Sequence, residues 1–147
     1  MKLKSLSNND LKKLAIKFKL PLNDIIMRDE VHKLNKDGFY IINLDTSKGD
    51  GTHWTSLYLH PLQSYYFDSF GFVPPEEVDN IITPYIYNNK DIQDYNSDAC
   101  GWYCVAFIKF LHDKNNKEVG FKEFLKLFSS KTTDNDTILQ DFLWDEV

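Results

Sequence analysis

The 147-residue sequence predicts an α+β domain, and three observations carry that expectation. Short β-branched and aromatic runs cluster in the middle of the chain, at Phe39–Leu44, Thr52–His60 and Tyr65–Asp68, with turn residues between them. The stretch from about Asp98 to His112 is apolar on nearly every side, as a central, buried helix must be. Amphipathic helical patterns occupy both ends. The length suits a single domain spanning residues 1–147, and with 15% aromatic residues it can bury a core without staples. No repeat, low-complexity segment or interdomain linker interrupts it.

Ser7 and Asp10 form a near capping box ahead of Leu11, Leu14, Ala15 and Phe18, which share one helical face and leave the lysines outward; Pro21 ends that helix. Residues 21–37, with Leu22, Ile25, Ile26 and Met27 as their apolar cluster, read as an irregular surface segment. His32, among Glu30, Lys33 and Lys36, reads as solvent-facing. Phe39–Leu44 is a buried strand, and residues 45–51 a polar loop. Thr52–His60 is a second strand, turned at Pro61 and Leu62 into an antiparallel partner at Tyr65–Asp68. Pro74 and Pro75 lead into a short helix over Glu76–Ile82, acidic at its start. Tyr85–Tyr87 is an edge strand. After the central helix, Asn115, Asn116 and Gly120 are breakers. Phe121, Phe124, Leu125 and Phe128 mark one amphipathic helix, and Ile138, Leu139, Phe142 and Leu143 another.

The net charge of −5 argues against a surface that binds nucleic acid all over. The sign is uneven, since residues 1–20 hold six lysines against Asp10, so any nucleic-acid contact is confined to the basic N-terminal helix. No segment has the apolar length needed to cross a bilayer, and no apolar signal core follows Met1. A soluble monomer without a membrane partner is expected. Cys100 and Cys104 lie four residues apart on one helix, a spacing that seldom meets disulfide geometry, so both read as free thiols in a reducing compartment. Without a Cys-x2-Cys or close His pair, no metal site is expected, and no cofactor is implied.

The chemistry centres on Cys100. Ser97 or Asp98 is placed to cap the helix that follows, which puts Cys100 in its first turn, where the positive end of the helix favours thiolate, the nucleophilic form. The hairpin supplies the rest. If His60 and Gln63 bracket a two-residue turn, position 55 lies opposite 68 and position 53 opposite 70. His53 and Asp68 then share a face, diagonal across the pair at about 7–8 Å. A carboxylate on one ring nitrogen fixes the tautomer and leaves the other nitrogen to exchange a proton with a nucleophile. A one-residue slip would separate the two.

Gly51-Thr52-His53-Trp54, then Tyr66-Phe67-Asp68-Ser69-Phe70-Gly71-Phe72, then Gln93-x6-Cys100-Gly101 follow one another over roughly residues 38–112. In this order and spacing the chain resembles the adenain-type cysteine proteases: the adenovirus maturation protease and its relatives in virophages and Polinton-like elements, akin to the proteases of ubiquitin-like modifiers. The N-terminal helix with its Leu20-Pro21-Leu22 exit fits the virophage and Polinton branch. The resemblance implies a papain-like fold, in which a twisted sheet carrying His53 and Asp68 packs against the helix that begins at Cys100. It further implies Cys100 as nucleophile, His53 as base and later acid, Asp68 as the orienting carboxylate, and Gln93 as side-chain donor to the oxyanion beside the Cys100 N–H. Trp54 follows the histidine in the family as here and is given a packing or shielding role. The adenovirus enzyme carries Glu where Asp68 stands; Asp is usual in the modifier proteases.

The implied activity is endopeptidase cleavage near glycine in virion or capsid precursor proteins, inside a virion or an infected cell. The alternatives are a protease that processes or deconjugates ubiquitin-like modifiers, in cytoplasm or nucleus, and an inactive scaffold that binds capsid proteins or peptides. The adenovirus enzyme is stimulated by DNA and by a disulfide-linked peptide. An activating peptide is thus an implied partner, yet Cys104 matches a position on the nucleophile helix and not the peptide-linking one. Cys104 reads as a core thiol, and His60 and His112 as structural.

Overall fold

The computed structural model describes residues 3–45 and 53–144. Helix α1 (Asn8–Lys17) is followed by strands β1 (Leu22–Met27), β2 (Gly38–Asn43), β3 (Trp54–Leu59) and β4 (Ser64–Phe67). Helix α2 (Glu76–Ile82), strand β5 (Tyr85–Tyr87) and helices α3 (Cys100–Leu111), α4 (Lys117–Lys126) and α5 (Asn135–Trp144) complete the described chain. Short 3-10 turns at Arg28–Lys33 and Thr132–Asp134 join β1 to β2 and precede α5.

The five strands form one mixed sheet in the order β1-β2-β3-β4-β5. β2, β3 and β4 are antiparallel neighbours, while β1 and β5 lie parallel to β2 and β4 at the two edges. Both faces are covered, which is why β2 reads as a continuous apolar run. Phe39 and Ile41 join Tyr65 and Phe67 in the core beneath α3, α4 and α5, whereas Tyr40, Ile42, Leu57 and Tyr66 pack with α2 and the Arg28–Lys33 turn on the other face. Every residue of α3 from Gly101 to Ile108 is buried, so the all-round apolar stretch is the central helix its composition requires.

The capping box of Ser7 and Asp10 is formed as expected. The end of α1 is set two residues before Pro21. Lys19 adopts a left-handed φ of 56°, its N–H bonds to Ile16 O at 3.1 Å and that of Leu20 to Ala15 O at 2.8 Å, which together close the last turn. The segment expected to be irregular is a correction: Leu22–Met27 is strand β1, and a 3-10 turn follows it. Its polar Asn23 and Asp24 hide the strand pattern. An edge strand paired on one side only, with a register shift between Leu22 and Asp24, needs no more apolar length than Ile25 and Ile26 provide.

Candidate active site

The hairpin adopts the register on which the site depends. Ser56 faces Phe67, Leu57 faces Tyr66 and Tyr58 faces Tyr65, and the same ladder continued sets position 55 opposite 68 and 53 opposite 70. His53 immediately precedes β3 and Asp68 immediately follows β4. His53 Nε2 lies 2.7 Å from Asp68 Oδ1, and the imidazole stacks on Phe70 at 4.9 Å between ring centroids. Gly51 and Thr52, the first half of their motif, fall outside the described residues.

Asp68 is fully buried and fixed from three sides. Its Oδ1 also accepts the Phe70 N–H at 2.8 Å. Asn88, at the end of β5, accepts the Asp68 N–H through Oδ1 at 3.0 Å and donates through Nδ2 to the Asp68 carbonyl. Sequence reasoning passed over Asn88, because a lone asparagine in a turn carries no spacing signal. The tight turn after Asp68 explains Gly71: its N–H returns to Asp68 O at 2.7 Å and its φ is 80°. A Cβ there would come within 2.6–2.8 Å of the Lys90 and Asp91 backbone.

Burial by itself would lower the pKa of His53. The hydrogen bonds and charges of Asp68 and Cys100 outweigh that burial and raise it to about 9. At neutral pH the ring is therefore an imidazolium. With Nε2 given to Asp68, Nδ1 is the nitrogen left for the Cys100 sulfur.

Cys100 is half-buried and is the first residue of α3. The expected cap is a correction. Ala99 occupies the N-cap position without a side-chain hydrogen bond, Asp98 is exposed, and Ser97 Oγ accepts from the Ala99 N–H at 3.2 Å and from Gln93 Nε2 at 3.4 Å while donating to Asp136. Capping by Ser97 would have consumed a first-turn N–H; without it the start of α3 can receive an anion. Gly101 lets the N-terminal segment cross this point, since a Cβ there would sit 3.0 Å from Leu6 Cδ1. That segment is tied down by Trp54 Nε1 donating to Leu6 O at 2.9 Å and Trp102 Nε1 donating to Lys4 O at 2.8 Å. Trp54 thus packs and anchors.

Gln93 is buried between the two halves. Its N–H bonds to Ser69 O at 2.9 Å, so the loop before α3 is laced to the residue after Asp68. Its side chain accepts from Ser69 Oγ at 2.6 Å and donates from Nε2 to Ser97 O at 2.8 Å. Cys104, one turn along α3, is buried, and burial pushes its thiol pKa well up, which leaves it an inert core thiol. His32 is exposed, and His60 Nδ1 accepts the Leu62 N–H at 3.1 Å in the hairpin turn.

No protein-family model and no curated protein matches the sequence. Among solved structures, the ASFV pS273R protease aligns with TM-scores of 0.62 and 0.60 in its selenomethionine and native crystal forms, at 17% identity over 95% of this chain. The fold is that of a papain-like cysteine protease. The chain spans 66% of the length of those proteins. The structure of AvrA delL154 with IP6 and CoA aligns at a TM-score of 0.47 and 15% identity, over 92% of this chain and 54% of that one.

Proposed function

We propose that this chain is a cysteine endopeptidase that cuts virion or capsid precursor proteins near glycine. The observation that carries the reading is the 2.7 Å contact between His53 and buried Asp68, with Cys100, whose charge also acts on that imidazole, at the uncapped start of α3. In that arrangement the Cys100 thiolate attacks the scissile carbonyl, and the Gln93 amide and Cys100 N–H hold the resulting oxyanion. His53 gives its proton to the leaving amine, a thioester forms, and water attacks it with His53 now acting as base. Gln93 Nε2 donates at 2.8 Å to Ser97 O and only at 3.4 Å to Ser97 Oγ, and the hydrogen of that longer, weaker contact is the one offered to the oxyanion. The protein works as a monomer in a reducing compartment, and polyanion contact falls to α1, where Lys12, Lys13 and Lys17 are exposed.

The test is turnover of a capsid-precursor panel set beside ubiquitin-like modifier conjugates, by the wild type and by Cys100→Ala. Cleavage of the precursors that disappears in the variant supports the proposal. Cleavage of the modifier conjugates alone moves the substrate class to modifier processing, and comparable turnover by Cys100→Ala ends the protease reading.

A further inference from the structure

The Ile92–Ser97 loop is gripped by the start of α5, more than thirty residues away in sequence. Asn135 Nδ2 donates to Ile92 O at 2.8 Å, Thr132 Oγ1 to Asp94 Oδ1 at 3.0 Å, and Ser97 Oγ to Asp136 Oδ2 at 2.7 Å. Directions in this network are fixed by groups that can only accept. The Ser97 carbonyl accepts from Gln93 Nε2, so the amide has one orientation, and the Ser69 hydroxyl must donate to Oε1. The Asp136 carboxylate takes the Ser97 proton through Oδ2 and the Tyr103 proton through Oδ1 at 2.8 Å. Ser97 Oγ is thereby left to accept, from the Ala99 N–H at 3.2 Å and from Gln93 Nε2 at 3.4 Å.

We infer that Asp136 is a positioning residue for the oxyanion donor. Its carboxylate orients Ser97, and Ser97 holds the Gln93 amide with nitrogen toward the reacting carbonyl. The role rests on the protease reading. Without Asp136 the Ser97 hydroxyl is free to rotate toward Gln93 and the loop loses a tether, while His53, Asp68 and Cys100 keep their contacts. An effect confined to acyl transfer is the consequence.

The experiment pairs hydrolysis of a fluorogenic peptide ending in Gly-Gly-aminomethylcoumarin with alkylation of Cys100 by iodoacetamide from pH 5 to 9. Alkylation displaces iodide, forms no oxyanion and reports only the thiolate. Asp136→Ala is expected to lower kcat about tenfold, less than full loss of an oxyanion donor. KM should stay within about twofold and the alkylation profile should be unchanged. In a Gln93→Ala background the same substitution should remove nothing further, because the residue it acts through is gone. Asp136→Asn, which keeps one acceptor oxygen for Ser97, should recover most of the rate. Ser97→Ala, which removes only the relay hydroxyl, should reproduce the loss even if Asp136→Ala does not fold. An equal loss in both backgrounds, or slower alkylation, overturns the inference and makes Asp136 a fold-supporting residue. Failure of the protease reading looks different: wild-type Cys100 that alkylates as an ordinary thiol, or peptide turnover that does not need Cys100, removes both.

Discussion

The two halves of the site are held together in opposite ways. His53 and Asp68 are fifteen residues apart, and one hairpin register brings them to 2.7 Å. Gln93 and Cys100 are only seven apart, yet their loop is held by Ser69, Thr132, Asn135 and Asp136, and the first turn of α3 by the segment around Leu6. The comparison teaches that closeness in sequence does not measure how local a site is. The hairpin half follows from strand pairing, whereas the loop half depends on the docking of both chain ends.

Removing the proposed oxyanion donor of the loop half should have the largest effect. Gln93→Ala should lower kcat by about 10²–10³ while leaving Cys100 alkylation at its wild-type rate, since alkylation forms no oxyanion and His53 of the hairpin half is untouched. Equal losses in both assays would mean that the halves are one coupled unit.

On the hairpin side, Gly71→Ala should destabilise the fold by about 3 kcal/mol in urea melts, because its φ of 80° and the Lys90 backbone leave no room for a Cβ. A small change there would show that the turn after Asp68 adapts.

Asp68→Asn tests the electrostatic part of the same half. Losing the carboxylate should bring the His53 pKa from about 9 down toward the ordinary imidazole value, so the alkaline limb of kcat/KM moves to lower pH. A raised folded-state pKa stabilises fully below the unfolded value of 6.5 and fades as pH rises through about 9. Wild-type Tm should therefore fall across that window, and the variant's should fall less.

The smallest expected effect is Trp54→Phe, which removes one buried hydrogen bond to Leu6 O and should cost about 1 kcal/mol by the same urea melts. If the N-terminal segment steadies the Cys100 end, alkylation should also become more variable with temperature in this variant. Unchanged behaviour would confine that segment to packing.

Much of the architecture was legible because it is written in short-range patterns. Compact β-branched and aromatic runs mark β2 and β4, the Ser7 box starts α1, and a two-residue turn at Pro61 and Leu62 sets which hairpin positions face one another. Strand β1 was hidden, because an edge strand with polar residues has no pattern of its own until β2 pairs with it.

The sequence by itself determined the hairpin, the buried helix and the candidates His53, Asp68 and Cys100, since these follow from local periodicity and turn chemistry, while Gln93 became a candidate through the family resemblance alone. Only the tertiary structure decided that α3 starts without a cap, that Asn88 holds Asp68 from β5, and that Asp136 of α5 reaches the Gln93 loop through Ser97. The Asn88 and Asp136 contacts span 20 and 39 residues, the first from a side chain to backbone and the second between side chains. Hydrogen-bond partners at that distance are selected by how the helices dock on the sheet, and docking leaves no periodic trace in the chain.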